Sequence, residues 1–468
     1  MSGLWSHQTE FINLADRLPN CGALMRPGSG KTRAMVETLR KQYNRDGKLS
    51  NTLIFAPPLP CQGWKREILA HTKIPEDRIL VLTMPGAERT KRLKHELDLG
   101  KPCIVVTNYE AVQIEKFYEE VKRFSPAYTV LDESHRVKDS GGVRAKRIYP
   151  LTDAAKRRFI LTGTLTPNSL LDVFGQFRAM NPALLGESFW QFRSRHFYDE
   201  NAGMPAHVHF PNWIPRPECA EWFGKLIADN CVQAGEAADL PPLQEIVLPV
   251  ELGKAQRKAY EGMVKEFVAE FNSSVAVAEF AMTKTVRLRQ ILCGFLQPDD
   301  GAEPVWFDEV PRLSALADLL DSLKGEKVLI WTEFRATYKK LGQLCEKMGF
   351  RVGFLTGEQS AKQKTEIKTY FQGNDLDVLI CNPAAAGEGT DGLQVARYAV
   401  YFARSYNSLH FEQSKARNHR GGSGRHSSVC HYHLRTEGTL DEVIHEALTG
   451  KKEVSESILT WARKLATR

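Results

Sequence analysis

Short apolar runs recur along the first third of the chain, each followed by a longer charged stretch. GALM (22–25), TLIFA (52–56), IVVT (104–107), YTVLD (128–132) and RFILT (158–162) are rich in β-branched and aromatic residues. Runs of this kind predict strands buried on both faces. The charged, helix-like segments between them predict crossovers, so the first lobe reads as an α/β fold with a parallel sheet. The pattern returns after residue 312 with KVLIW (327–331), RVGFL (351–355), DVLIC (377–381) and YAVYF (398–402). Between the first two of these, Tyr338, Leu341, Leu344, Cys345 and Met348 recur at helical spacing.

The stretch between the lobes reads differently. It is rich in aromatics and prolines at first, then strongly helical from Lys254 to Leu296. The organisation expected is therefore a nucleotide-type lobe over 1–169, an inserted, mainly helical region over 170–305, a second lobe over 306–438, and a helical brace over 439–468.

Composition narrows the class without naming it. Hydrophobic residues are 42% and charged residues 25% of 468, the balance of a globular chain too long for one core. No apolar run approaches the roughly 20 residues that cross a bilayer. The N-terminal segment mixes charges and lacks a signal-peptide core, so the chain is expected to be cytoplasmic and to begin at Met1. Nine cysteines are scattered without a CxxC pair, which predicts free thiols in a reducing compartment and no zinc module. His207/His209 and His431/His433 are possible metal ligands, with a structural role the commoner reading of such pairs. A net charge of +7 permits a nucleic-acid surface without requiring one.

Chemistry enters at MRPGSGKT (25–32), which follows a strand and opens a helix, the setting of a phosphate-binding loop. Gly28 and Gly30 let backbone N–H groups close on phosphate oxygens, with Pro27 and Ser29 completing the loop. Lys31 brings charge to the β and γ phosphates of ATP, and the Thr32 hydroxyl suits Mg²⁺. Met25 stands where the strict pattern has its first glycine. About one hundred residues on, Asp132 and Glu133 end a strand; they suit a magnesium ligand and the general base that polarises water. LTGTLTPN (161–168) follows the next strand.

In the second lobe, AAAGEGTDGLQ (384–394) offers Gly389 for close backbone approach and Asp391 for a ribose or an arginine. Gln413, Arg417 and Arg420 have the i, i+4, i+7 spacing of one helix face. A solvated basic helix and a pair of arginine fingers both fit. The ATP site expected in the first lobe has no finger of its own, which favours the second.

Taken in order, His7-Gln8, RPGSGKT, LIFAPPLPCQGWKREI (53–68), VVTNYEAV (105–112), DESHRVKD (132–139), LTGTLTPN, LRQILCGF (288–295), KVLIWTEF (327–334), AGEGTDGLQ and QSKARNHR resemble the Snf2-type branch of superfamily 2 along nearly the whole chain. The resemblance implies two RecA-like lobes with ATP between them and movement along duplex DNA without strong sequence preference. It implies that Gln8 reads adenine, and that Thr107, Asn108 and Thr164 lie along the DNA path. Ala416, Gly421-Gly422-Ser423 and Leu165-Thr166-Pro167 depart from the family's usual residues. The compact chain looks like the minimal motors of bacteria and their viruses. Two other functions are open at this point: a helicase that separates or anneals strands at forks, with FWQFRSRHFYDE (189–200) as its candidate wedge, and an ATP-dependent switch that binds a protein partner.

Overall fold

The computed structural model describes residues 3–58, 60–166, 169–203, 211–234, 240–273, 277–298, 301–386, 392–404, 407–450, 457–458 and 460–461. The chain divides into two compact units, Met1–Ala238 and Asp239–Arg468. The stretch expected as one inserted region, 170–305, is shared between them.

In the first unit the strands are β1 Asn20–Met25, β2 Thr52–Phe55, β3 Ile79–Leu82, β4 Ile104–Thr107, β5 Tyr128–Asp132 and β6 Arg157–Thr162. A short antiparallel pair, β7 Phe197–Asp199 and β8 Trp213–Pro215, precedes β9 Cys231–Ala234. The main sheet runs β3-β4-β2-β5-β6-β1-β9 with every pair parallel. Its central strands β4, β2 and β5 are buried throughout because helices cover both faces. Along β5, Leu131 packs with Phe174, Phe177 and Val121 on one side. Its neighbour Val130 packs with Met35, Trp64 and Ile68 on the other.

The second unit begins with β10 Leu243–Pro249, followed by a small antiparallel pair, β11 Phe295–Leu296 and β12 Val305–Trp306. Then come β13 Val328–Trp331, β14 Val352–Leu355, β15 Val378–Cys381, β16 Tyr398–Tyr401 and β17 Val429–Arg435. The sheet order is β10-β17-β16-β13-β15-β14, again with all pairs parallel. The two long helices Lys254–Ser273 and Val277–Cys293 and the helix Leu440–Thr449 belong to this unit. Ile291, Leu292, Leu440 and Ile444 pack in one cluster with Trp331 and Tyr401. The molecule is thus two parallel-sheet, RecA-like lobes.

The nine strands expected from the apolar runs all form. β3, β9, β10 and β17 join the two main sheets without having been expected, and the short pairs β7-β8 and β11-β12 outside them were not expected either. All nine cysteines are free and buried. Among the described residues, no helix is long and apolar enough to cross a membrane.

Candidate active site

Every strand of the first sheet is parallel, so the turns that leave β1, β2, β4, β5 and β6 emerge on one edge, where ligands of open α/β sheets bind. β1 delivers the loop 26–30, and Gly30 caps the helix Lys31–Asp46 in the left-handed region at φ 78°. Gly28 has φ 84°. A side chain at Gly30 is excluded twice, since its Cβ would lie 2.1 Å from Gln8 Nε2. Ser29 closes the loop on itself, with its hydroxyl donating to the Arg26 carbonyl at 2.7 Å. Lys31 Nζ donates to the carbonyls of Met25 at 2.9 Å and Arg26 at 3.4 Å, which holds the ammonium over the loop.

The helix Ser6–Arg17 sets its first turn against this loop. His7 Nε2 lies 2.9 Å from the Ser29 carbonyl oxygen. Gln8 donates to the carbonyls of Ser29 and Gly30 at 3.4 and 3.3 Å and accepts from the Trp5 amide at 2.9 Å. Its buried amide therefore serves the loop's shape directly.

Asp132 ends β5 and is 6% exposed. Burial, and next the adjacent Glu133, push its carboxyl well above the ordinary range; the Trp64 indole N–H and Lys31 pull it back down. Trp64 Nε1 donates to Asp132 Oδ2 at 2.8 Å, and the Tyr109 hydroxyl donates to the Asp132 carbonyl at 2.7 Å. Glu133 takes a left-handed conformation, φ 54°, uncommon outside glycine. Its Oε2 is 3.4 Å from His135 Nδ1, and the same ring nitrogen is 3.4 Å from Thr162 Oγ1 at the end of β6. The Thr32 hydroxyl and the buried Asp132 carboxylate, which feels the Lys31 charge, are hard oxygens that fit the donor chemistry of magnesium.

The turn after β6 is tied to both neighbours. A Cβ at Gly163 would meet Pro27 Cδ at 2.8 Å, so that turn presses on the loop 26–30. Thr164 donates its amide to Thr162 Oγ1 at 3.1 Å. Residues 167 and 168 lie outside the described residues. Gln176, fully buried, accepts from the Ser134 hydroxyl at 2.8 Å and donates to the Leu165 carbonyl at 2.6 Å. Gly175 beside it has no room for a side chain, since a Cβ would lie 2.2 Å from the Val137 carbonyl oxygen. The sequence reading named neither residue; the helix Val173–Met180 shows no local sign of what it supports.

Of the residues expected along a nucleic-acid path, Thr107 requires correction. Its side chain is fully buried and its hydroxyl donates to the Leu82 carbonyl at 2.8 Å, so it stitches β4 to β3 and offers no contact of its own. Asn108, half-buried, donates to Glu110 Oε2 at 2.9 Å.

In the second unit, Gly389 and Asp391 lie outside the described residues. The single helix face drawn through Gln413, Arg417 and Arg420 does not form, because the helix is Ser408–Lys415 and Ala416 caps it. Tertiary bonds end it: Asn418, fully buried, donates to the Ala396 carbonyl at 3.3 Å and pairs with His431 Nε2 at 2.9 Å. Arg417 is 5% exposed, with Nε donating to the Gln413 carbonyl at 3.1 Å, and Arg420 is half-buried. A solvated basic helix is therefore not what this segment is. His431 and His433 are buried in the sheet, His433 stacked on Tyr401 at 4.7 Å; His207 and His209 lie outside the described residues. Among the described residues no group of three or more His, Cys, Asp or Glu could hold a metal ion.

Two family profiles match the chain. One, described as an SNF2-related domain, covers residues 14–295, and the other, a helicase conserved C-terminal domain, covers 311–422. A "Putative protein p41" of Acyrthosiphon pisum secondary endosymbiont phage 1 is 23% identical over 92% of both chains. A "DNA repair and recombination protein RAD54-like" of Drosophila ananassae is 23% identical over 92% of this chain but 58% of its own length. The chain thus spans nearly all of the phage relative and under two thirds of the insect one. Among solved structures, the Sulfolobus solfataricus SWI2/SNF2 ATPase core in complex with dsDNA aligns with 96% of this chain and 91% of its own, at 20% identity and a TM-score of 0.45.

Proposed function

This chain belongs to the SNF2-related family of helicase-like ATPases, and from that premise we propose that it is an ATP-hydrolysing motor that moves along duplex DNA. The observation that carries the reading is the convergence of Lys31, Asp132 and Glu133 at one sheet edge, with the turn at Gly163 pressed on the phosphate loop.

Each residue has a task that its setting supports. The loop amides of 28–30 and the Lys31 ammonium bind the phosphates of ATP, aided by the helix N-terminus. Thr32 and Asp132 would hold Mg²⁺, which supplies charge stabilisation to the phosphoryl oxygens. Glu133 accepts a proton from the attacking water. Its neighbour His135 links it to Thr162, so base and β6 turn shift together. Arg417 and Arg420 would complete the site with guanidinium charge in the transition state. Gln8, Gly389, Asp391 and Gln413 are kept as nucleotide contacts, and Asn108 and Thr164 as DNA contacts.

DNA as the track is supported by the family and by relatives named for DNA repair and recombination. The strand-separating alternative rests on Trp190 and Tyr198, which are 68% and 38% exposed, while Phe192 and Phe197 of the same segment are core. The test is steady-state ATP turnover of wild type, Lys31→Ala and Glu133→Gln with nucleotide affinity measured beside it. Both variants lose turnover, and only Glu133→Gln keeps nucleotide affinity; turnover surviving in Lys31→Ala contradicts the reading.

A further inference from the structure

Asp132 is gripped by two aromatic donors that come from other turns of the same sheet edge. Trp64 sits on the helix Pro60–His71 after β2, and Tyr109 in the 3-10 turn Tyr109–Gln113 after β4. Their rings are 1% and 0% exposed. Packing alone would be served by phenylalanine at either place. Instead each ring aims its one polar hydrogen at Asp132: the indole N–H at the carboxylate, 2.8 Å, and the phenol O–H at the backbone carbonyl, 2.7 Å.

The two bonds restrain different things. A carboxylate accepting a fixed indole N–H cannot turn about its own axis, and magnesium tolerates little departure from octahedral geometry. Groups that hydrogen-bond a metal ligand commonly control its orientation. The bond to the carbonyl acts on the peptide that joins Asp132 to Glu133. A left-handed glutamate persists only where its surroundings over-determine it. The turn that carries Tyr109 is stapled to the next turn at a second point, since Glu110 accepts from Arg136 at 3.4 Å and from Arg144 at 3.0 Å.

We propose that Trp64 and Tyr109 are positioning residues of the nucleotide site: Trp64 sets the plane of the Asp132 carboxylate toward magnesium, and Tyr109 sets the Asp132–Glu133 peptide that aims the general base. This inference rests on the ATP-site reading above. Neither aromatic touches nucleotide; both act through Asp132.

The test compares Tyr109→Phe, which keeps the ring and removes one donor, with Trp64→Phe, which removes one donor and also trades the indole for a smaller ring. A fluorescent ADP analogue is titrated in chelator and across a magnesium series, steady-state turnover is measured, and thermal melting reports folding. In Trp64→Phe the magnesium concentration needed for tight nucleotide binding rises about tenfold while metal-free affinity holds. In Tyr109→Phe kcat falls about tenfold while the KM for ATP changes little, because a displaced base lowers the chemical step alone. Should Trp64→Phe not fold, Tyr109→Phe decides by itself. Folded variants that track wild type in both the magnesium titration and kcat overturn the proposal. Lys31→Ala measured alongside keeps the two readings apart. If it loses nucleotide while both aromatic variants behave as wild type, the positioning roles fall and the ATP site stands. Wild-type nucleotide binding indifferent to magnesium overturns both.

Discussion

Ser134 and Gln176, forty-two positions apart, are joined by a 2.8 Å hydrogen bond between two fully buried side chains. Gln176 spends its other end on the carbonyls of Leu165 and Asp172. One amide thus ties Ser134, the residue after Glu133, to the turn that follows β6. The helix carrying Gln176 can come this close only because Gly175 presents no side chain to the Val137 and Lys138 carbonyls.

Gln176→Leu keeps the volume and leaves a buried hydroxyl and a buried carbonyl without partners, which costs about 1–3 kcal/mol. Urea unfolding registers that loss, and kcat falls with it because the Glu133 turn loosens. Unfolding and kcat both at wild-type levels would show that the bond is incidental.

Gly163→Ala inserts a Cβ 2.8 Å from Pro27 Cδ, and neither ring nor backbone yields easily. Overpacking of this kind costs about 1–3 kcal/mol. The strain falls on the phosphate loop, so ATP affinity weakens in a binding titration. Wild-type affinity would mean that the two turns are independent.

The second unit carries a pH dependence of its own. Burial pushes His433 down to about 4 and holds His431 well below its ordinary value. Around them lie Glu245, 3.6 Å from His433 Nε2, with Lys415 and His445. Above pH ~6.5 both histidines are neutral folded or unfolded, and stability is full. As pH falls the unfolded chain takes up protons first, and each buried histidine costs about 1.4 kcal/mol per pH unit until its folded pKa is reached. The hydrogen bond with His433, and with it Lys415, holds Glu245 well below the usual range against the burial that opposes it, so its contribution fades in the same direction in more acidic solution. Thermal unfolding between pH 7 and 5 should show the second unit losing stability steadily; a flat profile contradicts the neutral, buried assignment.

How much of this was legible follows from where the bonds run. β5 was plain because all five of its residues are buried, and it could be read without knowing its neighbours. β3 is as apolar, but it is short and follows directly on the charged Glu76-Asp77-Arg78, which hid it. β10 and β17 pair with each other at one end of the second sheet. β10 is largely half-exposed and β17 interrupts its apolar residues with two histidines, so neither gives a clean apolar run. The loop 26–30 and the Asp132-Glu133 pair are each contiguous in sequence and could be singled out from it. Trp64, Tyr109, Gly175 and Gln176 could not, since each acts on a partner twenty or more positions away. The helix drawn through Arg420 failed for the same reason: Asn418 answers to Ala396 and His431, not to its own helix.

Arg420→Ala separates two tasks for the motif beyond that helix. As a finger it lowers turnover at saturating DNA by about 10³-fold or more. It leaves nucleotide binding nearly intact, because the guanidinium acts in the transition state. As a DNA-gripping cation it would do the reverse, with turnover near normal at saturating DNA and affinity for DNA clearly weakened.

The most direct measurement is ATP turnover against duplex, single-stranded and forked DNA and against RNA in parallel, at several salt concentrations. A motor that tracks duplex through its phosphates is stimulated most by plain duplex whatever its sequence, and log affinity falls linearly with log salt as counterions are released. Stimulation confined to forks would make it a strand-separating enzyme. Turnover equal in all four, or absent with each, would contradict the claim that this chain couples ATP hydrolysis to duplex DNA.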